Sequence, residues 1–230
     1  MTLYEAIFER HSVRSYIDQP LAEGLVSELN AKIQAVNNES GLHAQLVLDE
    51  PKAFNGIKSY GVFRGVSNYI VMAGKREKEL DQKVGYYGEE LVLFAQTLGL
   101  NTCWVGLTYS RTTDAFTLEK DEKVACVIAL GYGKTHGAGH RIKTAGQVSN
   151  VSAVTPGWFR CGVEAALLAP TAINQQKFYF EYLGSDGGVE TVAAQKRFSL
   201  FGYTNMDLGI AMRHFELGAG DDAKFKWVFK

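Results

Sequence analysis

The sequence predicts an α+β protein: an antiparallel or mixed sheet with flanking helices, arranged as two similar halves packed as a pseudo-dimer. Three observations predict it. Short apolar runs of strand character are interspersed with longer segments whose apolar residues recur at helical spacing. The chain also repeats one order twice: helix, strand, long helix closed by Leu-Gly, strand. Finally, residues 42–48 lie over residues 174–180, and Leu98-Gly99 lies over Leu217-Gly218. The halves are placed at 1–150 and 151–230, the second being shorter.

The elements follow in order. Thr2 and Glu5 have capping-box spacing, and Leu3, Ala6 and Ile7 share a helical face, so a first helix should stop near Arg10 and release the next residues into a loop. Pro20 suits the first turn of a second helix, along which Leu21, Leu25, Leu29 and Ile33 step by four toward Asn37-Asn38. Residues 42–48 read as a strand, 54–65 as loop, and 68–74 as a buried strand. The longest helical pattern, 77–98, is polar at first. It then carries Leu91, Phe94, Ala95 and Leu98 as a core stripe before a stop at Gly99. Strands are expected at 102–105 and 123–130, and a glycine-rich loop at 131–141. A helix opened by Pro156, a strand at 177–183, a turn at 184–188 and a short strand come next. A helix over 204–217 stopped by Gly218 and a last strand at 224–229 complete the chain.

Composition limits the function classes. A chain of 230 residues can bury roughly 70–75% of its unfolded surface, so it needs no disulfide or metal staple. Lys+Arg 24 against Asp+Glu 25 argues against nucleic acid or a polybasic membrane partner. Cys103, Cys126 and Cys161 each sit in an apolar run with no C-x-x-C, and read as buried free thiols of a reducing, cytoplasmic compartment. The first residues lack the apolar core of a signal peptide, and no run approaches 18 apolar residues.

The chemistry centres on Arg10-His11-Ser12-Val13-Arg14. Two guanidinium groups flanking a hydroxyl can grip a phosphate dianion by charge-assisted hydrogen bonds. The bland alternative is a solvated basic helix end. The loop at Gly131-Tyr132-Gly133-Lys134-Thr135 tempts two assignments and satisfies neither. A P-loop needs glycine where Ile128 stands, and a dinucleotide fingerprint needs glycine or alanine where His136 stands. The five histidines show no metal-binding spacing. Ser12 has no evident hydrolase partners, adjacent Glu89-Glu90 read as a solvated helix face, and Trp104, Tyr86 and Tyr87 suit either the border of a flat ligand or, first, the packing of the core.

Taken together, three segments resemble the flavin-dependent nitroreductase family. They are Arg10-His11-Ser12-Val13-Arg14, Ala169-Pro170-Thr171-Ala172-Ile173-Asn174-Gln175-Gln176, and Gly131-Tyr132-Gly133 followed by Arg141. A weaker match is the stretch from Leu98-Gly99 to Val105-Gly106. The Ala-Pro segment stands in the second half here, whereas most members carry it after the first helices. The chain is therefore similar to a branch with an internally duplicated, fused nitroreductase-like fold, in which one chain imitates the dimer.

The resemblance implies FMN as cofactor. Arg10, Ser12 and Arg14 would hold its phosphate and ribityl end, with His11 contributing backbone. Arg141 and Lys143 would complete the phosphate shell. Pro170, Thr171, Ala172 and Asn174 would cover the isoalloxazine from the other half, and backbone N–H groups at Gly106 and Leu107 would face its N5 and O4 edge. It further implies hydride transfer from NAD(P)H to flavin N5. Two-electron reduction of a small acceptor (a nitroaromatic, a quinone or a flavin) would follow by a ping-pong mechanism in a monomer acting as a pseudo-dimer. No side chain is assigned as catalytic acid or base. The alternative functions are a flavin carrier, sensor or flavin-modifying protein without reductase turnover, and a protein that keeps the fold without the cofactor.

Overall fold

The computed structural model describes residues 1–55, 62–110 and 114–230. In order, the elements are α1 (Leu3–Glu9), α2 (Glu23–Ser40), β1 (Gln45–Val47), β2 (Asn68–Lys75), α3 (Leu80–Thr97), β3 (Asn101–Val105) and β4 (Glu122–Gly131). They continue with α4 (Ala145–Val148), α5 (Gly157–Ala166), β5 (Phe178–Asp186), β6 (Val189–Lys196), α6 (Thr204–Ala219) and β7 (Phe225–Phe229). The fold is α+β, with two sheets. One has the order β1-β2-β4-β3 and is antiparallel throughout; the other has the order β5-β6-β7, with β7 parallel to β6 across the α6 connection.

The capping box forms: Glu5 N–H donates to Thr2 Oγ1 at 3.1 Å and Thr2 N–H to the Glu5 carboxylate at 2.7 Å. Arg10 then leaves the helix in extended conformation. The expected loop after it is an extended segment laid on the sheet, bridging Ser12 to Thr102 and Tyr16 to Gly133. Helix α2 starts three residues after Pro20, with Ala22 at its cap, and runs past Asn37-Asn38 to Gly41 at φ 71°. The strand expected over 42–48 keeps only three residues. One reason is that the Asn37 side chain takes both backbone groups of Ala44, at 2.8 and 2.9 Å, away from any ladder. Residues 56–61 of the expected loop lie outside the described residues.

Strand β2 is buried on both faces. Ile70 and Met72 join the main core with α2, α3, α5 and α6, while Tyr69, Val71 and Ala73 join an outer cluster with Val13, Tyr16, Phe54 and Phe63. This outer cluster fastens the segment after α1 to the sheet. Between residues 158 and 227, Trp158, Phe159, Phe215, Phe225 and Trp227 pack edge-to-face or stacked, and Phe180 lies tilted against Phe215 and Trp227.

Helices α3 and α6 cross at reciprocal glycines. A Cβ on Gly85 would lie 2.0 Å from the Met206 carbonyl oxygen, and one on Gly209 would lie 2.1 Å from that of Gln82. Each glycine faces the carbonyl three residues before the other, so the contact repeats itself under exchange of the helices. Helix α6 ends at Ala219 with Gly220 at φ 82°, two residues past the expected stop. Gly218 lies inside the helix, where a Cβ would meet the Cys161 carbonyl oxygen at 2.7 Å; close packing against α5 explains it, not termination. Cys103 and Cys126 are buried free thiols as expected, but Cys161 is exposed, because it faces away from the contact that α5 makes with α6.

Candidate active site

Two adjoining cavities, of about 280 and 710 Å³, share Ser12, Arg14, Pro170, Thr171 and Ile173 and so form one cleft. Its walls come from stretches far apart in the chain: the segment after α1 and the end of β3 on one side, residues 170–174 and the start of α6 on the other. The smaller chamber is mainly apolar, walled by Trp104, Leu107, Pro170, Phe201, Met206 and Ile210. The larger is the more polar of the two and carries the cations Arg10 and Arg14, with Ser12, Thr135 and His140.

The first wall follows from the sheet. Val13 N–H donates to the Thr102 carbonyl at 3.0 Å, which sets Ser12 and Arg14 beside β3. Arg10 is only 3% exposed, and its Nε has no hydrogen-bond acceptor. Burial lowers its pKa, and Glu89 opposes that shift. His11 packs against the glycine-rich loop, where a Cβ on Gly137 would come within 2.7 Å of its own Cβ. Burial also raises the Cys103 thiol, beside Ser12 and Arg14.

The opposite wall is a strained turn. Ile173, Asn174, Gln176 and Tyr203 hold φ of 48°, 56°, 45° and 57°, a left-handed conformation unusual for side chains other than glycine and costing of order 1–3 kcal/mol each. Side chains hold it in place. Asp207 Oδ1 accepts from Ala172 N–H at 2.9 Å and its Oδ2 from Gln175 Nε2 at 2.7 Å. Thr171 Oγ1 accepts from Gln176 N–H at 3.0 Å, and Gln176 Nε2 donates to the Arg141 carbonyl at 2.8 Å. Asp207 is 2% exposed, and burial pushes its carboxyl up from 3.8 to about 6, against the pull of the two hydrogen bonds. Tyr203, the cap of α6, sets its hydroxyl over Gly106, where an added Cβ would meet it at 2.6 Å. Gly106 therefore keeps a bare backbone facing the smaller chamber.

The cleft brings together Arg10, Ser12, Arg14, Gly106, Leu107, Pro170, Thr171, Ala172 and Asn174. It does not bring His11, Arg141 or Lys143, which line neither chamber. The Lys143 ammonium instead donates to the carbonyls of Gln175 and Gln176 at 3.1 and 2.6 Å, and so braces the strained turn from behind. Sequence reasoning missed Phe201, Tyr203, Met206, Asp207 and Ile210, the approach to α6 and its first turns. One signal was available: Asp207 is a lone acid within the otherwise apolar run from Met206 to Met212. Trp104 does more than pack, since it walls the chamber and donates from Nε1 to Glu89 at 2.9 Å. Glu89 is also not on a solvated face. It is wholly buried, 2.9 Å from His214 Nε2, while Glu90 pairs with Lys32 and Arg213. Among the described residues no cluster of metal-ligating side chains occurs, and no helix is long and apolar enough to cross a membrane.

A family model described as "Putative TM nitroreductase" matches residues 2–219. A crystal structure described in the same terms, from Thermotoga maritima, is 23% identical with a TM-score of 0.62, covering 95% of this chain and 83% of its own. A like-described protein in complex with FMN, from Desulfovibrio desulfuricans, is 20% identical with a TM-score of 0.51, covering 68% of this chain and 99% of its own. A nitroreductase family protein from Clostridium difficile 630 is 15% identical with a TM-score of 0.51, covering 68% and 100%. No curated protein matches the chain.

Proposed function

The chain belongs to the nitroreductase family, and from that premise we propose that it is an FMN-dependent oxidoreductase working between NAD(P)H and a small acceptor. The observation that carries this reading is the cleft itself. Its cationic chamber, with Arg10, Arg14 and Ser12, suits a phosphate, and its apolar chamber suits a flat ring system. The joined chambers reach the size of small-molecule sites, about 300–1,000 Å³. The Arg10 side chain that borders the larger chamber and the bare backbone at Gly106 both fit such a ligand. The structure of the Desulfovibrio relative in complex with FMN adds support for that cofactor.

Bound FMN would supply two-electron transfer from NAD(P)H to a nitroaromatic, quinone or flavin, the two substrates taking turns at one face. Arg10 and Ser12 would bind the phosphate end, and Arg14, common to both chambers, would sit where the chain of the cofactor meets its ring. Pro170, Thr171 and Ala172 would cover the ring and exclude water, held to α6 by Asp207. The backbone near Gly106 and Leu107 would meet the ring edge and favour its electron-rich form.

The reading also includes a pseudo-dimer. The self-repeating contact of Gly85 and Gly209, and a site walled by residues from 1–150 and from 151–230, support one chain acting as a complete monomeric unit. The full length of the Desulfovibrio protein corresponds to 68% of this chain, which leaves room for a shortened second copy.

Anaerobic visible-absorption titration of the FMN-supplied protein with NADPH and then NADH tests the reading. Bleaching of a protein-bound flavin band, reversed by a quinone, is expected. A bound flavin that stays oxidised would transfer the assignment to a carrier or sensor. Failure to retain flavin would refute the cofactor assignment.

A further inference from the structure

We propose that Glu89 and His214 are positioning residues that hold the Arg10 guanidinium on the cleft, so that the contact between the two long helices sets the phosphate grip. The inference rests on the reading of Arg10 as a phosphate ligand given above. Glu89 on α3 and His214 on α6 are fully buried, and neither lines the larger chamber that Arg10 borders. Glu89 Oε1 is 2.9 Å from His214 Nε2 and 3.8 Å from Arg10 Nε, while Oε2 accepts from Trp104 Nε1 at 2.9 Å. His214 Nδ1 lies 3.2 Å from the Ala165 carbonyl oxygen, so the imidazole is placed between two acceptors on opposite sides, which fixes the orientation of the ring.

Groups from α1's end, β3 and α6 thus converge on a single carboxylate of α3. Packing alone does not call for this arrangement. A buried ionic cluster is often no more stable than apolar side chains of the same volume, and its best-attested use is to specify one geometry. The geometry specified here is that of Arg10. With Nε turned to Glu89, the terminal nitrogens are the part of the fork left for an anion in the chamber. Arg10 comes from the first half and His214 from the second, and Glu89 joins them. A shift of α6 against α3 therefore moves the carboxylate's anchor and, with it, the cation at the site.

Affinities for FMN and for riboflavin, measured by flavin-fluorescence quenching on the purified protein, isolate the phosphate contribution without reference to turnover. Glu89→Gln and His214→Gln should each weaken FMN binding about tenfold or more, the worth of a well-placed charge-assisted hydrogen bond. Riboflavin affinity should stay within about twofold. The FMN-to-riboflavin ratio should fall toward that of Arg10→Met, and Glu89→Gln should add little to Arg10→Met, because the two act as one unit. Equal loss of both flavins, or an unchanged ratio, would mean that the cluster only glues the helices and would overturn the proposal. His214→Gln keeps the contact of Glu89 with Trp104 and carries the test if Glu89→Gln does not fold. A wild-type protein that binds riboflavin as tightly as FMN would refute the phosphate assignment of Arg10 itself, whatever the variants do.

Discussion

Replacing Asp207 by asparagine should stabilise the protein at neutral pH and leave it little changed in acid. A carboxyl raised from 3.8 to about 6 by burial is about 3 kcal/mol harder to ionise in the folded chain than in the unfolded chain. The folded chain therefore binds more protons between those two values. Its stability falls as pH rises through that window, and the cost is present in full above about 6. Asparagine removes the charge and keeps the acceptor for Ala172 N–H. Its amide would face Gln175 Nε2, so the Gln175 amide must turn and give up its 3.0 Å bond to the Gly202 carbonyl, a loss of about 1 kcal/mol. Turning also employs Gln175 Oε1, which is buried without a partner. The net gain at pH 8 is about 2 kcal/mol, or about 4–8 °C in Tm for a chain of this size. Between pH 4.5 and 8 the difference between variant and wild type should swing by about 2 kcal/mol. Urea unfolding of the flavin-free protein at pH 4.5, 6 and 8 measures it. A difference that does not vary with pH, or a variant less stable at pH 8, would show that the carboxylate is not strained by its burial.

Other outcomes follow from particular contacts. Gly209→Ala places a Cβ 2.1 Å from the Gln82 carbonyl and should cost about 3 kcal/mol or more in urea unfolding, as should Gly85→Ala. Arg14→Ala should weaken FMN binding about 10–100-fold by fluorescence titration, since this arginine borders both chambers. Thr2→Ala should cost about 1 kcal/mol through loss of the capping box. A thiol reagent should modify only Cys161 in the native protein, with Cys103 and Cys126 reacting after denaturation, because burial raises both of their thiols.

What the sequence made legible depended on how far apart the cause and the residue lie. The arginine segment and the Ala-Pro segment are local patterns, and the structure places both on one cleft although some 160 residues separate them. Strands such as β2 and β4 show themselves as apolar runs because both faces are buried. Glu89 was misread because two adjacent acids look alike in the sequence, and only the partners show that Glu90 pairs with Lys32 and Arg213 while Glu89 meets His214 and Trp104 in the interior. Gly218 misled for a related reason. Glycine marks a helix end and a close helix contact alike, and the carbonyl that requires it belongs to Cys161. Tyr203 and Asp207 carried no motif; they became part of the site through the position of α6, which the crossing with α3 determines.

The crossing of α3 and α6 also imposes an order on synthesis. While translation has not yet reached residue 204, the groove around Gly85 has no helix to fill it, and Glu89 has no imidazole opposite. The arginines emerge early but face an unfinished wall. With FMN as the cofactor proposed above, flavin capture should be a late event, coupled to the docking of the last long helix. A ribosome stalled between residues 177 and 203 should hold a nascent chain that displays the basic segment without retaining the yellow cofactor.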